Sequence, residues 1–183
     1  DESLRRLKTD YLDLWQIHEV VYEDDPDLHF APNGATEALL EAKQQGKVRF
    51  IGFTGHKHPQ IHLKMLGHDF PFDACQMPLN VFDGTYRSFE REVLPVLNQR
   101  GIAALGMKSL SGNAEPIKQG IVTPEEAIRY VLSLPIASLV SGIDSPQVLK
   151  QNLDIARHFT PMTVAEMDGL RTRVAQYAMD GRY

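Results

Sequence analysis

A chain of 183 residues can bury one sizeable core but is short for two. Its 43% hydrophobic and 23% charged content is ordinary for a globular protein and excludes intrinsic disorder. A formal net charge of -5, with the basic residues scattered, excludes a broad nucleic-acid footprint. The lone cysteine, Cys75, excludes an internal disulfide framework, suits a reducing, cytoplasmic compartment, and reads as a small buried side chain. No segment approaches the roughly 20 apolar residues of a membrane span, and the first residues lack signal-peptide character. No linker or low-complexity tract divides the chain, so residues 1–183 are expected to form a single domain.

The chain opens on the end of an amphipathic helix, with Leu4 and Leu7 on one face, and passes into an apolar run, Tyr11–His18. An acidic, proline-containing loop from Glu19 to Pro32 follows, long enough to be functional. A helix is predicted from about Ala35 to Gln45, ended by Gly46, and a second run covers Val48–Thr54. Pro59 starts a helix to about Leu66, and the third run is Phe72–Pro78. Ser88 caps a helix reaching Gln99, in which Pro95 predicts a kink or an earlier stop. The fourth run, Ile102–Lys108, opens a polar loop, Ser109 to Val122. Thr123-Pro124-Glu125-Glu126 begins a helix to about Leu134, and the fifth run is Ile136–Gly142. Ser145-Pro146 starts a helix toward His158, and a capping box at Thr163 opens a terminal helix toward Met179.

Five short apolar runs alternating with helices predict parallel strands covered by helices. In such folds the loops after the carboxyl ends of the strands build the active site, so His18, Thr54, Gln76, Lys108 and Gly142 are expected along one rim. His18 is the leading catalytic candidate, since an imidazole closing a strand can orient a carbonyl; the bland alternative is a histidine bonded to loop backbone. Gln76 either satisfies its amide on backbone or aims it at a ligand. The Ser109-Leu110-Ser111-Gly112-Asn113 loop offers backbone amides to a phosphate, and the Gly142-Ile143-Asp144-Ser145-Pro146 turn leads into a helix N-terminus suited to an anion. Histidines 56, 58, 62 and 68 invite a metal reading, because His58 and His62 share a helix face. Without acidic or cysteine partners nearby they read better as solvated surface histidines, and no metal is expected. The Glu23–Asp27 run reads as a solvated loop, not a calcium site.

Taken in order, Thr9–His18, Gly46–Thr54, Asp73–Asn80, Met107–Leu110 and Ser141–Pro146 resemble the aldo/keto reductases, a likeness covering residues 1 to about 157. The resemblance implies a TIM-type (β/α)8 barrel in which a nicotinamide cofactor exchanges hydride with an aldehyde or ketone. Of the family's catalytic aspartate, tyrosine, lysine and histidine, only the histidine is matched, as His18. The first run then corresponds to strand four, so the chain supplies about five strand-helix units of a barrel that needs about 250 residues. Alone it is expected to turn over little or no substrate.

By resemblance Gln76 holds the nicotinamide carboxamide, beside Thr54. Ser109 to Gly112, Leu110 among them, pass near the pyrophosphate, Lys108 is a further cofactor contact, and Gly142, Asp144, Ser145, Gln151 and Asn152 belong to the adenosine end. Thr54-Gly55 replaces the family's frequent Ser-Asn, and Met107 stands where an aromatic residue often stacks on the nicotinamide ring. Gly142 and Val148 occupy places where many members direct basic residues at a 2′-phosphate, and Asp144 would repel one. NADP(H) is nevertheless slightly favoured over NAD(H) on the family's habit, with Lys150 able to compensate. The expected partner is a small carbonyl or alcohol substrate. Two open sheet edges predict self-association. The competing reading is a non-catalytic cofactor-binding or regulatory protein on the same fold.

Overall fold

The computed structural model of the chain describes residues 1–84 and 86–179. In chain order the elements are α1 (Glu2–Leu7), β1 (Leu12–Ile17), α2 (Asp25–Phe30), α3 (Ala35–Gln44), β2 (Val48–Thr54), α4 (Pro59–Gly67), β3 (Ala74–Pro78), α5 (Phe89–Glu92) and α6 (Leu94–Arg100). They continue with β4 (Ala103–Met107), α7 (Glu115–Lys118), α8 (Pro124–Leu132), β5 (Ser138–Leu139), α9 (Pro146–Arg157) and α10 (Val164–Val174), then a 3-10 turn over Ala175–Tyr177. The five strands form one parallel sheet in the order β1-β2-β3-β4-β5, which leaves β1 and β5 as edges among the described residues.

All five predicted strands are present; β2 keeps its predicted bounds and the other four are shorter than predicted. β5 is the shortest strand; its pairing with β4 is extended at both ends, by the Ala137 N–H donating to the Ala104 carbonyl and the Val140 N–H donating to the Gly106 carbonyl, each at 2.8 Å. The predicted helix from Ser88 to Gln99 is two helices, broken at Val93. Pro95 lies in the first turn of α6, since proline has no N–H to donate and clashes with the carbonyl four residues back. Two short helices lie inside segments read as loops. α2 begins where the Asp25 carboxylate accepts from the Val21 and Tyr22 N–H groups, so the acidic run is partly a helix start. α7 occupies the loop after β4. Capping boxes open both α8 and α10, as their Thr and Glu spacing predicts.

The two faces of the sheet differ. Ile51 and Phe53 of β2, Cys75 and Met77 of β3 and Ala104 of β4 point to one face, where helices bury them in the main core. Between them Leu14, Gln16, Phe50, Gly52, Thr54, Gln76, Leu105 and Met107 point to the other face, as the ladder register requires. Here Phe50 remains 46% exposed. Asp73, just before β3, ties the layers together: its carboxylate accepts from the Ile51 N–H at 2.9 Å and from Lys43 of α3 at 2.6 Å. No described helix is long and apolar enough to cross a membrane.

Candidate active site

The carboxyl ends of the strands lie side by side because the sheet is parallel and its order follows the sequence. His18 directly follows β1, Thr54 ends β2, Met107 ends β4, and Gln76 lies in β3 opposite Thr54 and Leu105. Loop bonds hold this rim. The Val20 N–H donates to the Thr54 carbonyl at 2.9 Å, and the Gly55 N–H to the Gln76 carbonyl at 3.4 Å. His18 is exposed, whereas Thr54 is buried.

Side chains on the uncovered face form a short polar chain. The Gln16 Nε2 amide donates to Gln76 Oε1 at 3.1 Å, and Gln76 Nε2 donates to the Met107 sulfur at 3.4 Å. The bond from β1 to β3 crosses over β2 at Gly52, which is paired with Gln16 and carries no side chain. A Cβ at Gly52 would lie 2.4 Å from the Ala74 carbonyl oxygen, so the β2–β3 ladder itself demands glycine. Gly55 is similarly constrained. A Cβ there would sit 2.4 Å from the Val20 carbonyl oxygen and 2.8 Å from His62 Cε1.

After β4 the backbone turns through a left-handed Lys108, φ 57°, which aims its side chain into solvent while its carbonyl accepts from the Ser111 N–H at 2.9 Å. Ser109 and Ser111 are buried, Leu110 packs on the core, and Gly112 is exposed with open space around it. Asn80 braces this loop, accepting from the Phe82 and Asp83 N–H groups and donating to the Lys108 carbonyl. Beside it lies a cavity of about 420 Å³ lined by His56, Lys57, Asn80, Asp83, Arg87 and Lys108 among others. The Asp83 carboxylate there caps α5, accepting from the Phe89 and Glu90 N–H groups and Ser88 Oγ. Burial raises its pKa to about 7, against the lowering effect of those bonds.

At β5 the loop is held from α9. Asn152 is buried and donates to Ser141 Oγ at 3.0 Å and to the Gly142 carbonyl at 3.4 Å, while its own Oδ1 lacks a partner. Ser145 caps α9 by accepting from the Val148 N–H. Asp144 and Gln151 are exposed and take no part in the bonds that join the strand ends.

The four histidines have separate structural employment, and among the described residues no group of three potential ligands meets as a metal site. His56 contacts Glu19 at 3.2 Å, and its pKa is lowered by burial and then by Lys108. His58 caps α4 through Nδ1, and His68 stacks on Phe30 at 4.0 Å. His62 corrects the surface reading: it is fully buried between Phe53 and Phe89, with the Gln76 and His58 backbone near its ring nitrogens but no well-formed hydrogen bond to either. Burial lowers its pKa to about 4. Its apolar partners lie in β2 and α5, out of reach of a helix-face argument.

Sequence reasoning missed Gln16, Asn80 and Asp83. Gln16 was findable, because two residues before His18 on a strand places both on one face. Asp83 was not, because its cap reaches across a loop to a helix that the sequence alone merges with α6.

The aldo/keto reductase family profile matches residues 1–115. The uncharacterized oxidoreductase YqkF of Bacillus subtilis (strain 168) is 26% identical to this chain, over 96% of it and 64% of its own length. The aldo-keto reductase YhdN of the same strain is 32% identical over 60% of this chain and 30% of its own length. Among solved structures, the holo form of aldo-keto reductase AKR11C1 from Bacillus halodurans superposes with a TM-score of 0.74 at 22% identity, covering 94% of this chain and 64% of that one. The chain thus spans less than two thirds of the length of these relatives, and its strand-helix units superpose on part of the (β/α)8 barrel of the solved Bacillus halodurans structure. With a matched profile over most of its length and this parallel sheet beneath it, the chain belongs to the aldo/keto reductase family.

Proposed function

We propose that the parent protein is an oxidoreductase exchanging hydride between a nicotinamide dinucleotide and an aldehyde or ketone, and that residues 1–183 are one domain supplying strands four to eight of its barrel. The observation that carries this is the Gln76 amide, held on the uncovered face at the strand-end rim by Gln16 and Met107. A nicotinamide carboxamide needs such a partner, and the orphaned buried acceptors at Gln16 and Asn152 mark polar places a ligand could satisfy.

When bound, the cofactor supplies the hydride. Gln76 and Thr54 hold its carboxamide, and the Met107 thioether packs on the ring. Lys108, Ser109, Leu110 and Gly112 flank the pyrophosphate, with Lys108 placing a positive charge near it. Gly142, Asp144, Ser145, Gln151 and Asn152 hold the adenosine end, where the α9 N-terminus favours an anion. His18 donates a hydrogen bond to the substrate carbonyl and orients it. The family's proton-donating tyrosine, with its lysine and aspartate, has no match in these residues, so the 183-residue polypeptide by itself turns over little substrate. NADP(H) is preferred slightly over NAD(H), and the protein works in the reducing cytoplasm. The exposed edges β1 and β5 also favour self-association.

Titrating the polypeptide with NADPH and following cofactor fluorescence tests the binding half of this reading. Saturable enhancement, weakened about tenfold in Gln76→Ala, is expected; no change up to roughly millimolar cofactor would overturn it. Reduction of an aromatic aldehyde by the isolated chain at ordinary enzyme rates, on the order of 10 per second, would overturn the assignment of the catalytic partners.

A further inference from the structure

Gln16 has an arrangement that a purely structural glutamine would not need. A buried amide normally satisfies both ends on backbone or neighbouring side chains. Here Nε2 makes one hydrogen bond, to Gln76 Oε1, while Oε1 is buried and has no partner. The side chain is therefore tied to no backbone group among the described residues, and its one directed interaction ends on another amide.

That interaction has consequences for Gln76. A glutamine amide can turn over, exchanging its oxygen for its nitrogen at nearly the same shape. With Gln16 donating to Oε1 and the Met107 sulfur accepting from Nε2, both ends of the Gln76 amide are assigned. The sulfur is a weak acceptor, so the stronger constraint comes from Gln16. The crossing path exists only because Gly52 leaves the uncovered face of β2 bare at the level of Gln16.

We infer that Gln16 is a positioning residue for the nicotinamide subsite: its Nε2–H fixes the rotation of the Gln76 amide, so that Gln76 meets the ligand carboxamide already oriented. This rests on the reading of Gln76 as the carboxamide anchor. Pre-set orientation removes part of the ordering cost of binding, so its loss weakens binding of the nicotinamide portion only. Gln16→Leu keeps the bulk and removes the donor. Gln16→Glu keeps the shape but presents only acceptors, forcing Gln76 to turn its nitrogen toward residue 16.

The test compares two probes on the same chain: NADPH, and 2′-phospho-ADP-ribose, which lacks the nicotinamide ring. Both variants are expected to bind NADPH about fivefold to tenfold more weakly than the unsubstituted chain, with binding of the ring-less probe unchanged. Equal weakening toward both probes would show a merely structural role and overturn the inference, as would unchanged NADPH binding in both variants. If the unsubstituted chain binds the ring-less probe but gains nothing from the ring, the reading of Gln76 itself fails, a distinct outcome. Should Gln16→Leu unfold, judged by thermal melting, Gln16→Glu decides the result alone.

Discussion

The two faces of the sheet share one backbone and behave as different materials. On the helix-covered face Ile51, Phe53, Cys75 and Met77 are completely buried, and burial drives the Cys75 thiol pKa far up. One residue away, on the uncovered face, Phe50 is half exposed and the central side chains are two amides and a thioether. A period of two residues separates a face that carries stability from one that presents polar groups.

The sharpest way to break this contrast is to truncate a ring on the covered face. Phe53→Ala should cost about 3–5 kcal/mol in chemical denaturation, because Phe72 and His62 pack against that ring and cannot close the cavity. A cost below about 1 kcal/mol would mean the covered face is not the core.

A smaller effect is expected at the junction that locks α10 onto this side. Tyr130 Oη donates to Glu90 and accepts from Arg171, each at 2.7 Å, and Arg171 also pairs with Glu90 at 2.7 Å. Tyr130→Phe should destabilise by about 2 kcal/mol in thermal or chemical melts, since it leaves a buried acceptor short of a donor.

Two buried titratable groups give opposite pH responses. His62 has a folded pKa of about 4, below its ordinary 6.5. Its contribution to stability is full above 6.5 and is lost as pH falls toward 4, by at most about 1.4 kcal/mol per pH unit. Asp83 has a folded pKa of about 7, above its ordinary 3.8, so its contribution is full below 3.8 and is lost as pH rises toward 7. The denaturant midpoint should therefore fall more steeply on acidification in Asp83→Asn, and less steeply in His62→Leu, than in the unsubstituted chain. The same slope in both variants would refute the assignment.

The smallest effect sharpens the contrast from the other side. Phe50→Ala should cost no more than about 0.5 kcal/mol, the size typical of surface positions, despite removing the same ring as Phe53→Ala. A larger loss would show that something covers this face.

The alternation of apolar runs and helix starts made the parallel sheet legible, because hydrophobic periodicity and capping chemistry are local properties. Val48–Thr54 and the two threonine capping boxes needed no partner to be read. The rim positions of His18 and Thr54 followed from the same logic, whereas Gln76 lies inside β3, level with the end of β2. The sequence by itself thus determined the number of strands, most helix starts and, to within a few residues, where each strand ends.

Only the tertiary structure decided what those residues touch. That His62 is a buried packing element depends on Phe53 and Phe89, which come from two other elements. Gly55 cannot be asparagine because Val20 and His62 fill the space its side chain would need. Gln16 finds Gln76 across a distance of sixty residues, through a gap left by Gly52. Burial, steric exclusion and amide orientation are fixed by atoms far apart in sequence, and no local pattern encodes them.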